Sequence, residues 1–384
     1  MAAIKSRHQR PPARPGGERL GSVLLAALAL PGLLPVEAVA ENAPEHAVLA
    51  YKQLYYQDSQ PGLDRITVNA PSVYGLLPMG EHWSVEGSAV VDAVSGASPR
   101  YYSTVSGASH MDDLRTAGDA KLSYYRERSA YSVSLSRSQE HDYISNAAAL
   151  DARFSSADNN TTYNLGVGVA RDSINPTNDL VDDETKNSLQ GIVGVTRALT
   201  AVDLVQLQLA YSSGHGYFSD PYKLFDNRPR ERNQGTALLR WNHHVAAADA
   251  TLRLNYRYYN DSYGIAAHTL GLEWVQPLGR NFSLTPSLRY YTQSSADFYI
   301  DPPASAPFPN IPEGAYSSLD QRLSAFGALA VAGKLEWRLS PEWSTDFKAE
   351  YYQQRAEWRL TGNGSPGLEP FRYVSFEFGL TRRF

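Results

Sequence analysis

Along most of this chain apolar and polar residues alternate with a period of two, the spacing that places successive side chains on opposite faces of a strand. Leu252, Leu254, Tyr256 and Tyr258 interleave with Arg253, Asn255 and Arg257. Leu335, Trp337 and Leu339 interleave with Lys334, Glu336 and Arg338, and Trp343, Phe347 and Tyr351 oppose Asp346, Lys348 and Glu350. Read from Glu41 onward, the pattern predicts sixteen strands, the first over 46–57, the second over 64–77 and the third over 82–94. The fourth is expected over 119–125 and the last over 370–384. Short turns such as Pro78-Met79-Gly80 and Arg126-Glu127-Arg128 are expected to alternate with longer polar connections such as DSQPGL, SINPTNDLVDDETKN and the proline-rich stretch 294–318.

One greasy and one wet face on every strand, with no helical stretch apolar enough to span, fits a sheet closed on itself in a membrane, where each backbone polar group must be paired within the protein. The expected fold is therefore all-β, a transmembrane up-and-down antiparallel β-barrel of about sixteen strands with short periplasmic turns and long extracellular loops. An even strand count leaves both termini on one side. The final stretch PFRYVSFEFGLTRRF places Val374, Phe376, Phe378, Leu380 and Phe384 on one face. It resembles the closing strand of bacterial outer-membrane barrels, which the insertion machinery reads, with Arg382 as a departure from that pattern. Phe376, Phe378, Leu380 and Phe384 are the expected insertion signal.

The first forty residues change the picture of what is mature. Lys5, Arg7, Arg10, Arg14 and Arg19 precede the apolar run GSVLLAALALPGLL, and Ala38-Val39-Ala40 supplies small residues at a signal-peptidase spacing. Residues 1–40 are expected to be a cleavable signal peptide and 41–384 the barrel. The apolar run, interrupted by Pro31, is shorter than the roughly 20 residues a spanning helix needs. Removing those forty residues, with five positive and two negative side chains, takes the net charge from −5 to −8 and argues against a nucleic-acid partner. The 25 Tyr against 3 Met suit pleated sheet, and the absence of Cys suits an oxidising compartment.

Turning the apolar face to lipid sends Glu86, Asp92, Lys121, Arg240, Arg253, Arg257, Glu273, Arg289, Lys334, Glu336, Arg338, Asp346, Lys348, Glu350 and Glu377 to the lumen. The opposite assignment would cost about 2–4 kcal/mol for each Arg or Lys near the bilayer midplane. Mixed signs at this density favour cross-strand ion pairs. Loops after strands three, nine and thirteen are long enough to fold inward, with His110, Asp112, Asp113 and Arg115 as constriction candidates in the first and Asp220, Lys223, Asp226, Arg228, Arg230 and Arg232 in the second. Tyrosine pairs near strand ends (Tyr55 and Tyr56, Tyr258 and Tyr259, Tyr290 and Tyr291, Tyr351 and Tyr352), with Trp83, Trp241, Trp274 and Trp343 nearer the turns, read as two interfacial girdles.

Chemistry beyond transport finds little footing. His141 with Asp142, or His215 with Asp220, lie where a rim hydrolase would hold them, yet no GxSxG elbow or HExxH is present. DLVDDE, residues 179–184, lacks the spacing and Gly of an EF-hand loop, so no metal, cofactor or catalytic residue is assigned.

The segments YKQLYYQDSQPGLDRITVNAPSVY, WSVEGSAVVDAVSGASPRYYS, EHDYISNAAALDARFSSADNNTTYNLGVG, GYFSDPYK with DNRP, and YRYYNDSYGIAAHT together resemble an uncharacterised family of proteobacterial outer-membrane barrels, a domain of unknown function. The resemblance implies fold and outer-membrane location and lends no substrate. The expected role is a porin-like channel for small solutes or ions. The alternative is a non-conducting scaffold whose lumen holds its own loops or a periplasmic or electron-transfer partner, and an outer-membrane hydrolase stands third.

Overall fold

The computed structural model describes residues 42–97, 110–223, 225–301 and 310–384. The segment 1–40, expected to be a signal peptide, lies outside the described residues. The first eight strands are β1 (Val48–Gln60), β2 (Leu63–Met79), β3 (Trp83–Ala97), β4 (His110–Arg126), β5 (Ser129–Gln139), β6 (Tyr143–Ser155), β7 (Thr161–Ile174) and β8 (Glu184–Ala198). The second eight are β9 (Asp203–Gly216), β10 (Glu231–Val245), β11 (Ala250–Asp261), β12 (Ala266–Leu278), β13 (Phe282–Gln293), β14 (Phe326–Arg338), β15 (Trp343–Arg355) and β16 (Phe371–Arg383). Each pairs antiparallel with its sequence neighbours, and β1 closes on β16 from Val48 opposite Arg383 to Ser59 opposite Arg372. Closure leaves no unpaired strand edge, as a hydrocarbon environment demands.

Alternation then sorts the side chains. Leu135, Leu150, Val169, Leu189, Leu270 and Val331 are among the many apolar residues left more than half exposed, all on the outer face. Trp83, Trp241, Trp274, Trp337 and Trp343 share that face near the short turns, and Trp337 stacks on Phe282 with ring centroids 5.4 Å apart. The expected tyrosine girdle is half right, because the same alternation splits each pair. Tyr55, Tyr258, Tyr290 and Tyr351 face out, while Tyr56, Tyr259, Tyr291 and Tyr352 face in. Inside, Tyr352 stacks on Tyr373 at 4.7 Å and Tyr56 packs on Tyr373 at 5.0 Å.

The seven connections at the end carrying both termini run from two to five residues. Gly80 and Gly279 take positive φ in two of them, where a side chain would be strained. At the opposite end the connections are uneven: 217–230, 294–325 and 356–370 are long, but 61–62, 140–142 and 262–265 have two to four residues. DSQPGL, read as a loop, is therefore mostly strand. Polar Asp58, Gln60 and Asp64 hide the pairing there, since beyond the apolar band a strand no longer needs a greasy face.

Candidate functional site

The inner wall of the barrel has two unlike halves. On β5 to β9 it is built mostly from short side chains: Ser132, Ser134, Ser136, Ala147, Ala149, Gly166, Gly168, Ala170, Ser188, Gly194, Ala210, Ser212 and Gly214 point inward by register, with Asp151, Arg153, Gln190, Ile192 and Gln208 between them. Across the barrel, β10 to β16 and β1 to β4 carry the charges and rings. Arg253 meets Glu273 at 3.5 Å, Arg289 meets Glu350 at 3.2 Å, and Lys334 meets Glu336 at 2.9 Å and Asp346 at 4.0 Å. Lys348 bridges Glu350 at 3.1 Å and Glu377 at 3.5 Å, while the Tyr373 hydroxyl donates to Glu350 at 2.5 Å. On the other flank Lys121 lies 3.2 Å from Glu86, which also accepts from the Tyr74 hydroxyl at 3.1 Å. Arg240 donates to Gln206 at 3.2 Å, Arg257 sits 5.6 Å from the Tyr259 ring, and Arg338 occupies an inward position of β14 opposite Ser344. Every charge assigned to the lumen from the sequence thus takes an inward register position.

These lumenal pairs are wet to different degrees, from 49% of the side chain accessible at Arg289 to 14% at Glu350. Arg253, Glu273, Glu336 and Arg289 keep between 38% and 49% of their side-chain surface accessible although they point into the barrel. Side chains alone do not fill a sixteen-stranded cylinder.

The first set of constriction candidates is corrected by the fold. His110, Asp112, Asp113 and Arg115 belong to β4, paired with Ala97, Ser95, Val94 and Asp92, and not to a loop. Arg115 is a buried wall residue whose Nε donates to Asp92 at 2.6 Å. Of the second set, Asp220, Lys223, Asp226 and Arg228 gather off the wall, whereas Arg232 is a residue of β10 whose guanidinium meets Asp261 at 2.6 Å. Arg228 contacts Asp226 at 3.0 Å and Asp320 at 2.7 Å, and Arg322 contacts Asp320 and, at 3.2 Å, Asp220. Asp226 and Asp320 side chains are wholly buried, and Asp220 and Lys223 nearly so. Loops 217–230 and 294–325 are joined by this cluster and by backbone pairing of Asn227 with Ser317. Asp320 also caps the turn Gln321–Leu323 by accepting from the Arg322 amide.

Neighbouring loops are tied in. The Tyr222 hydroxyl donates to Asp142 at 2.8 Å and accepts from the Thr177 amide at 2.9 Å, Tyr263 donates to the Pro229 carbonyl at 2.8 Å, and the Gly367 amide reaches Asp301 at 3.0 Å. A small apolar cluster, Tyr263, Ile265, Ala296 and Leu323, packs beneath. Among the described residues these contacts tie the loops from 140–142 to 356–370 into one network, the cap, at the end opposite the termini. Arg230 sits at its edge, half exposed and held by Glu184 at 2.6 Å.

Electrostatics keep the cap ionised. Burial raises the Asp320 carboxyl, but Arg322, Lys223 and Arg228 outweigh it and hold the group well below the usual carboxylate range. Asp220 is lowered as well, burial being overcome by Lys223 and Arg322. Asp226 goes the other way, since burial there exceeds the pull of Arg228. The Tyr222 hydroxyl is pushed up to about 12, chiefly by burial.

Asp320 and Arg322 were not legible as site residues, because 92 residues separate Arg228 from Asp320 and no spacing announces the contact. Of the rim pairs considered for hydrolysis, Asp142 beside His141 accepts from Tyr222, while His215 and Asp220 take different partners: His215 lies 3.6 Å from Glu231 on the outer face and Asp220 is engaged by Arg322. No cluster of potential metal ligands occurs among the described residues.

Residues 101–375 match the profile of a family described as proteins of unknown function, DUF3570. The chain belongs to that family. No curated protein matches it in sequence. Among solved structures, the DUF3570 barrel is similar to a bacterial polysaccharide outer membrane secretin, at 9% identity and TM-score 0.52 over 88% of this chain and 98% of that one. It is also similar to CdiB from Acinetobacter baumannii, at 10% identity and TM-score 0.50 over 87% of this chain and 60% of that one. At such identities the likeness speaks for the fold alone: this DUF3570 chain has the closed-barrel fold of bacterial outer-membrane proteins.

Proposed function

We propose that the protein resides in the bacterial outer membrane and passes small hydrophilic solutes or ions through its lumen, with the cap of loops narrowing the outer mouth. The observation that carries this reading is the wetness of the inward charges: groups such as Glu336 and Arg289 point into the barrel yet keep nearly half their side-chain surface accessible. A wall of short Ser, Ala and Gly side chains opposite leaves room for water, and paired charges of both signs suit weak selectivity over a single-sign filter. The test is single-channel conductance of the refolded barrel in a planar bilayer, with reversal potential measured under a salt gradient. Steady conductance supports the channel; a folded, heat-modifiable barrel that never conducts overturns it.

A second reading, the non-conducting scaffold, draws on the burial of the cap cluster, which could keep the outer mouth shut around a lumen that serves a periplasmic partner. Silence in the same bilayer experiment favours it. For assembly, Phe376, Phe378 and Leu380 face outward on β16, and the Phe384 amide bonds the Ala47 carbonyl at 3.0 Å beside Arg382, whose guanidinium lies 4.4 Å from the Phe384 ring. We assign this end as the signal read by the barrel-insertion machinery. Deleting Phe384 should slow assembly in cells, read as loss of the heat-modifiable band, while refolding in detergent is kept.

A further inference from the structure

The outer face of β5 to β10 carries a feature that neither the lumen nor the cap uses. In register across six strands lie Arg137, Asn146, Arg171, Asn187, His215 and Glu231, each paired with the next. By alternation they stand on the same outward face as Leu135, Ala148, Val169 and Leu189, one outward step nearer the short turns. Asn146, Arg171, Asn187 and His215 of this row, with Leu135, Ala148, Val169 and Leu189, line a depression of about 630 Å³ on the lipid side of the wall, and Arg137 stands beside it, bonded to Asn146. Its floor is greasy, with Leu135, Val169 and Leu189 each more than half exposed, and its upper edge is polar and cationic.

The charges in this row are unbalanced. Arg137 is steadied by Asn146 at 3.0 Å and Gln139 at 3.2 Å, both neutral. Arg171 is exposed and has no hydrogen-bond or ion-pair partner among the described residues. The row's single acid, Glu231, sits at its far end beside His215. Adjacent strands lie about 4.8 Å apart, so the two arginines stand roughly 10 Å from each other with an amide between them. That span lets two guanidiniums converge on one phosphate group while Asn146 and Asn187 offer amides to neighbouring hydroxyls. Elsewhere on the outer face cations are differently placed: Arg382 is taken up at the opposite end between Trp343 and Phe384, and Arg372 is bonded to Ser59.

We infer that this sector is a binding site for a phosphorylated glycolipid of the surrounding membrane, with acyl chains in the apolar depression, phosphate on Arg137 and Arg171, and sugar hydroxyls on Asn146 and Asn187. The inference rests on the membrane reading above and is independent of whether the lumen conducts. A guanidinium facing lipid without an internal partner costs solvation, and a lipid-borne anion at the upper edge of the apolar band removes that cost.

The test titrates the delipidated full chain, folded in neutral detergent, with a bisphosphorylated, acylated glucosamine disaccharide, its dephosphorylated counterpart and inorganic phosphate, counting bound ligand by native mass spectrometry. The wild type should prefer the phosphorylated lipid to the dephosphorylated one by at least about tenfold, as a charge-assisted contact implies. Inorganic phosphate should not bind. R137A/R171A should lose the preference, and R372A on β16 should retain it. R171A alone carries the test should the double variant fail to fold, since Arg171 supports no internal contact. Equal binding of the two lipids, undiminished binding by R171A, equal loss in R372A, or saturation by inorganic phosphate would each overturn the inference. A chain giving no heat-modifiable barrel would defeat the membrane reading and this inference together, whereas a silent barrel that keeps the lipid preference would defeat the channel reading alone.

Discussion

The charges of the cap and the charges of the lumen look alike in sequence and differ in what surrounds them. Asp320 and Asp226 in the cap are wholly buried, whereas Glu336 and Arg289 in the lumen leave nearly half of each side chain in water. An exposed ion pair is worth about 0–1 kcal/mol, because water screens it and two long side chains must be ordered. Removing one partner of a buried pair instead costs about 3–5 kcal/mol, since it strands the other charge away from solvent. The cap is therefore held by few contacts, each of large effect, and the wall by its backbone ladder, with the lumenal charges free to act on what passes.

The largest expected effect comes from breaking the cap at its centre. D320N removes the negative charge shared by Arg228 and Arg322 and turns one acceptor oxygen into a donor, and should cost about 3–5 kcal/mol of local stability, so amide exchange in 217–230 and 310–325 should speed about a hundredfold or more while the strands stay protected. The same variant should lengthen open dwell times in a bilayer. Unchanged exchange in both loops would show that the cap is held by its backbone pairing and the Tyr222 and Tyr263 contacts instead.

Acidification should follow with the same direction and a smaller size. Asp220 and Asp320 have depressed pKa values, so their contribution is complete above the ordinary carboxylate value of about 3.9 and is lost as pH falls through the depressed values. Asp226, raised by burial, has the opposite sign and offsets part of that loss. The cap should stay closed through neutral and mildly acid pH and loosen only below about pH 4. Loop exchange measured against pH checks this, and loosening near pH 6 would contradict it.

Much of the wall was readable because period-two alternation is a local signal, and it placed Arg253, Glu273, Lys334 and Glu350 on the inner face without any tertiary information. The same rule misled where polarity ceased to report on lipid. His110 to Arg115 read as loop because the strand there has left the apolar band, and 58–64 read as loop for the same reason. The tyrosine pairs looked like one girdle because adjacent rings were counted together, although adjacent residues of a strand must face opposite ways. The sequence singled out Asp220, Lys223, Asp226 and Arg228 as charges of an inward-folding loop but could not announce their partners Asp320 and Arg322, since those contacts join loops with no period.

Within the wall, the two inner halves make a further comparison. On the short-side-chain half, S134W adds bulk at an inward position of β5 without touching an ion pair, so conductance should fall with selectivity unchanged. Equal conductance would place the narrowest point at the cap.

The smallest structural effect belongs to the charged half. Glu350 accepts from Arg289, Lys348 and Tyr373, so E350Q leaves Arg289 and Lys348 short of a negative partner in a lumen still open to water. Glu350 keeps 14% of its side chain accessible while Arg289 keeps 49%, so the loss should fall between the exposed-pair and buried-pair values, about 1–3 kcal/mol. The local field also turns positive, so the reversal potential should move toward anions while the heat-modifiable band is kept and the stability loss stays below that of D320N. A large loss of stability with no change in selectivity would invert the contrast between cap and lumen, making the wall charges structural and leaving the cap to govern passage alone.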